Sequence, residues 1–200
     1  MENIKNIINK FEPSKSILAG MFIGIGGLAY LSVTTSFLGA LLFSIGLLVI
    51  LTQGYYLYTG KIGFANSSND FKFCFRVLLW NAIGAIFTAL VSHELIYEEA
   101  LKVVSKKLCL PIDIAFIRAI LCGILIHIAV QLYQKTENYL TVIIPIMLFV
   151  LCGFEHSIAN IFYFTAANVY SIKALIYILI YILGNSLGAL FVALLDNPKK

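Results

Sequence analysis

Charge is what this sequence has least of. Only 12% of its 200 residues are charged, against about a quarter in soluble globular chains, while 60% are hydrophobic and the mean hydropathy is +0.94. Such a balance excludes a soluble domain and implies an integral membrane protein. Cysteine is also scarce. Cys74, Cys109, Cys122 and Cys152 show no CxxC or Cys/His ligand spacing, so neither a zinc site nor a disulfide framework is supported. His93, His127 and His156 are too dispersed to specify a metal, and no cofactor motif occurs. The chain also lacks a G-x-S-x-G elbow, a Walker lysine and an HExxH pair, which argues against an enzyme. The net charge of +4 is modest, with lysines at the ends of apolar runs, so there is no nucleic-acid footprint.

What is there is long apolar sequence. No residue from Ser16 to Gly60 is charged, and at about 1.5 Å per residue that run exceeds one crossing of a roughly 30 Å hydrocarbon core. It holds two spans, turning near Thr34, Thr35 and Ser36. The polar start, MENIKNIINKFEPSKS, places the first apolar run too far in to be a cleaved signal peptide, so it is expected to be a permanent helix. Six windows emerge: 16 to 33, 36 to 60, 74 to 92, 114 to 133, 139 to 165 and 172 to 195. A polar linker, 93 to 113, is expected between the third and fourth. With six spans, Lys5, Lys10, Lys15, Lys61, Lys72, Arg76, Lys135, Lys199 and Lys200 share one side. The positive-inside rule makes that side, with both termini, cytoplasmic.

NAIGA at 81–85 and NSLGA at 185–189 repeat an N-x-x-G-A pattern at an offset of 104. Three spans per copy is odd, so the second copy enters from the opposite face, giving inverted repeats of about 14–92 and 113–195 within one transmembrane domain spanning 1–200. The same offset lays the stretch from Thr52 over that from His156. Both interrupt apolar sequence with Gly and polar residues, as expected of second and fifth helices broken near the midplane. Freed backbone groups there must be buried in protein or line a wet path.

The second of these stretches, GFEHSIAN at 153–160, carries two ionisable groups in apolar surroundings. Each costs about 2.5–3.5 kcal/mol at bilayer depth, so Glu155 and His156 are expected to point into the protein. Adjacent helical residues diverge, and one can face a pore while the other is structural. The pore role falls to His156. Glu155 reads as a carboxylate satisfied by backbone amides or paired with Arg118, which itself either reaches that pair or snorkels to the interface. His127, nine residues beyond Arg118, is a further candidate polar group.

With GFEHSIAN, LYTG at 57–60, NAIGA and GNSLGA at 184–189 in hand, the chain resembles the formate/nitrite transporter family from about Ser14 to Leu195. The resemblance implies an all-α, aquaporin-like integral membrane fold of six transmembrane helices in a bilayer. It also implies a homopentamer with one pore per protomer, passing small monovalent anions such as formate, nitrite or hydrosulfide, in the inner membrane of the cell. His156 would be the central pore histidine, Thr59 the loop threonine opposite it, and Asn185 their polar neighbour. Leu57, Phe149, Phe43 and Leu47 would form hydrophobic constrictions, with Asn81 on the third helix a secondary polar residue. Three departures stand out. Tyr56 replaces an acidic residue, His127 replaces an asparagine, and Pro111 falls near the family's lysine, leaving Lys106 or Lys107 to substitute.

The expected mechanism is entry of an anion into a polar vestibule, protonation near His156, passage through the apolar rings as a neutral acid, and release of the proton beyond. Burial and an approaching anion act on a histidine's proton affinity in opposite senses, so anion binding itself would trigger the transfer. A pore for small neutral solutes and a non-transporting membrane scaffold are the alternatives. Gating by the short N-terminal segment stays open.

Overall fold

The computed structural model describes residues 11–196. The topology signals at Lys5, Lys10, Lys199 and Lys200, and the N-terminal segment considered for gating, lie outside the described residues. Eight α-helices are present among those residues: α1 (Pro13–Leu31), α2 (Ser36–Thr52), α3 (Tyr58–Lys61), α4 (Ser68–Leu108), α5 (Ile112–Thr136), α6 (Leu140–Leu151), α7 (Ser157–Ala166) and α8 (Ile172–Asp196). A 3₁₀ turn, Ile62–Phe64, extends α3. Four helices, α1, α4, α5 and α8, are long and apolar enough to cross a membrane. Large apolar side chains such as Leu95, Val91, Leu183 and Ile172 stand outward, more than half exposed, an arrangement suited to lipid or neighbouring subunits.

Two helix pairs organise the interior, and small residues explain both. Along α1 and α4, a Cβ on Gly20 would overlap the Asn81 carbonyl, and one on Gly84 the Ile17 carbonyl. Along α5 and α8, a Cβ on Gly123 would overlap the Asn185 carbonyl, and one on Gly188 the Ile120 carbonyl. With no side chain between them the backbones approach closely, which is how helices associate where lipid removes the hydrophobic drive.

The stretch expected to be a polar linker is helical through Leu108, making α4 a single helix of 41 residues. Its start is fixed by a capping box: Ser67 Oγ accepts from the Asp70 amide at 3.2 Å and Asp70 accepts from the Ser67 amide at 2.9 Å. No Gly or Pro interrupts the chain between Gly84 and Pro111. Ile96, Ala100 and Val104 continue the buried stripe at a spacing of four, so packing on one face holds the helix together despite its charges. Pro111 then caps α5, where its missing N–H costs nothing.

Helix α2 ends at Thr52 and α3 begins at Tyr58; α6 ends at Leu151 and α7 begins at Ser157. Each gap opens on a glycine at positive φ, Gly54 at 67° and Gly153 at 66°. That left-handed turn disfavours any residue with a Cβ.

Candidate permeation site

The two gaps are held by two asparagines in the same way. Asn81 Oδ1 accepts from the Tyr58 amide at 2.8 Å, and its Nδ2 donates to the carbonyls of Tyr56 (2.8 Å) and Ser16 (2.7 Å). Asn185 Oδ1 accepts from the Ser157 amide, and its Nδ2 donates to the carbonyls of Glu155 and Ala119, all at 2.8 Å. Both side chains are fully buried. They supply partners for the amide that opens each short helix and for the carbonyl two residues before it, which a low-dielectric interior demands. Asn185 was expected in the lumen beside the imidazole; its amide instead makes three bonds to backbone. The clamp also sets the register of the two gaps. Tyr56, Leu57 and Tyr58 correspond to Glu155, His156 and Ser157, an offset of 99 where the sequence pattern suggested 104. The chain between gap and clamping asparagine is five residues longer in the second half.

Leu57 and His156 are thus equivalent caps, extended at φ −102°, ψ 128° and φ −97°, ψ 122°. His156 also caps α7 with its side chain: Nδ1 accepts from the Ala159 amide at 3.1 Å. That acceptor role assigns the hydrogen of the neutral ring to Nε2. Nε2 then donates to Thr59 Oγ1 at 2.9 Å, joining residues 97 apart. Both side chains are buried, at 0% and 2% exposure. The Thr59 hydroxyl hydrogen is left to point at another acceptor, and a proton placed on Nδ1 would displace the Ala159 amide.

A cavity of about 80 Å³ opens beside the imidazole, lined among others by Phe43, Phe149, Asn160, Lys107 and Tyr30. Phe149 stacks on the His156 ring at 6.0 Å and 22°, and Phe43 meets Phe149 edge-on at 5.7 Å. Of the two aromatic residues expected at a constriction, Phe149 packs on the histidine and Phe43 packs on Phe149. Leu47 and Leu57 are equally buried but lie outside that lining.

Glu155 makes no bond to the ring of His156 among the described residues. Its carboxylate accepts from Lys107 Nζ and, at 2.9 Å, from Asn160 Nδ2. The partner considered for it, Arg118, donates to the Gly153 carbonyl at 3.4 Å, while its own carbonyl accepts from the Glu155 amide at 3.3 Å. Lys107 wins because α4 runs on into the expected linker and delivers an ammonium to a buried carboxylate, whereas the Arg118 guanidinium is spent on the Gly153 carbonyl. Asn160, missed as a functional residue although it closes the GFEHSIAN motif, presents a buried, unpartnered Oδ1 and lines the cavity. His127 lies apart from it, packed on Phe64 at 4.7 Å.

An all-helical fold with lipid-suited surfaces and a buried polar pair beside an aromatic-walled cavity defines the class: a multi-pass membrane channel or transporter. Residues 13–196 match the formate/nitrite transporter family model, and the chain belongs to that family. It is 31% identical to the uncharacterized transporter YwcJ of Bacillus subtilis, covering 73% of this chain and 69% of that protein. It is 25% identical to the nitrite transporter NirC of Escherichia coli, covering 90% and 80%. Its fold matches a pentameric formate channel with formate bound, with a TM-score of 0.82 at 22% identity, covering 97% of this chain and 98% of that one. Family and relatives are transporters and channels, not enzymes.

Proposed function

We propose that this protein conducts small monovalent anions that are conjugate bases of weak acids, such as formate, nitrite or hydrosulfide, with proton exchange at His156. The observation that carries the reading is the buried hydrogen bond between Thr59 and His156, made where two interrupted helices meet beside a cavity walled by Phe43 and Phe149. A bare anion crosses such apolar walls at high cost, whereas its neutral acid does not. The Thr59 hydroxyl would donate to the anion, and the imidazole would exchange the proton. Leu57 and Leu47 would narrow the path further. Nitrite is what the relative in Escherichia coli is named for, and formate is bound in the structural neighbour.

The same reading takes the chain as one domain of six crossings: α1, α2 with α3, α4, α5, α6 with α7, and α8. These form two inverted repeats of about 14–92 and 113–195, with the second and fifth crossings broken. The matching asparagine clamps and glycine seams support it. The pentameric neighbour supports a homopentamer with one path per protomer, and the lysine distribution supports cytoplasmic termini in a cell's inner membrane.

Competitive flux of formate, nitrite and hydrosulfide into proteoliposomes tests this. His156→Phe should abolish anion flux. Unchanged rate and pH dependence in that variant would refute the proton-exchange role, and swelling by water or ammonia without anion flux would place the protein among neutral-solute pores.

A further inference from the structure

A second imidazole, on α5, is left unexplained by every hydrogen bond among the described residues. His127 is fully buried, and neither Nδ1 nor Nε2 has a partner. Its ring packs on Phe64, centroid to centroid at 4.7 Å. Its Nδ1 occupies the space that a Cβ on Gly63 would need, so the glycine is a cradle cut to the ring. Gly63 follows Thr59 by four residues, one helical turn or about 6 Å further along the chain. The ring lies outside the lining of the cavity that holds Phe43 and Phe149.

Buried polar groups are ordinarily bonded, and a leucine would fill this space without leaving two nitrogens dry. The charged and polar groups on the surrounding elements do not bond the ring. Gln131 and Lys135 on α5 both turn to Asp196 on α8, at 2.8 and 3.8 Å. On α3, Lys61 lies over the Tyr56 ring at 5.6 Å. The imidazole is held in position by packing alone, with its hydrogen-bonding capacity unused.

We propose that His127 is a second anion-binding residue, donating a ring N–H to a small monovalent anion that has passed the Thr59–His156 pair. Gly63 gives the Nδ1 edge of the ring its room, and Phe64 packs against the ring beside it. A neutral imidazole supplies one donor and one acceptor, enough to hold a formate-sized solute loosely and let it leave, as conduction requires. This inference rests on the proposed anion path, and its test is separable from that reading.

The full-length protein labelled with ¹⁵N-histidine in lipid nanodiscs gives the direct readout, with the His127 signals assigned by their loss in His127→Asn. Sodium formate should move those signals saturably, while sodium gluconate at equal ionic strength should not. In proteoliposomes His127→Leu should lower formate flux about tenfold, the loss expected for one hydrogen bond to a charged group. His127→Asn keeps a donor and should retain most of the flux. Ring signals indifferent to formate, nitrite and hydrosulfide overturn the proposal, as does wild-type flux in His127→Leu. If the wild type passes no anion, the anion path itself fails, and the ring signals still decide whether His127 binds one.

Discussion

Asn81 and Asn185, 104 residues apart, do the same work: each accepts from the amide that opens a short helix and donates to the carbonyl two residues before it. Replacing either by alanine leaves two backbone groups of the gap unpaired in the interior, each at about 1–3 kcal/mol. Asn81→Ala and Asn185→Ala should therefore lower the free energy of unfolding in detergent to a similar degree, by about 2–6 kcal/mol. A large effect in one and none in the other would break the equivalence.

Gly54 and Gly153 share a positive φ, but their surroundings differ. A Cβ on Gly54 meets nothing within 4 Å, whereas one on Gly153 lies 3.5 Å from Arg118 Nη1. Gly54→Ala should cost about 1–2 kcal/mol from backbone strain alone, and Gly153→Ala as much or slightly more. Thermal unfolding of both variants side by side checks this.

Removing one member of the Lys107–Glu155 pair should be worse than removing both. Lys107→Met strands a carboxylate that is 1% exposed, a change worth about 3–5 kcal/mol. Adding Glu155→Gln removes the charge and should restore most of that stability. A double-mutant cycle measures the coupling, and strict additivity would show that the pair does not interact.

Thr59→Val keeps the side chain's shape and removes both the acceptor for His156 Nε2 and the free hydroxyl hydrogen. Anion flux in proteoliposomes should fall about tenfold or more, with Thr59→Ser close to wild type. Equal flux in the valine variant would mean that the hydroxyl takes no part.

The sequence announces its site through cost. An imidazole in an apolar run demands an interior role, and His156 does lie buried against Phe149. Its partner Thr59 is 97 residues earlier, and only the family motif brings the two together on paper. Less visible was the reach of α4. Its glutamates and lysines look like a solvated connection, and the apolar stripe of Ile96, Ala100 and Val104 is sparse enough to be missed among them. The ion pair of Lys107 with Glu155 follows from that reach and leaves no periodic trace. The N-x-x-G-A repeat marked the two equivalent asparagines, but not the register of the gaps, because the short helix and the loop after it are both longer in the second stretch.

Leu57 and His156 occupy the same kind of socket, with matching backbone angles and a matching asparagine brace. What separates them is a side chain, one hydrocarbon and one imidazole. The molecule has in effect built a single mounting twice and furnished each copy differently. New chemistry could be installed at either mount by one substitution, without redesigning the frame that aims it.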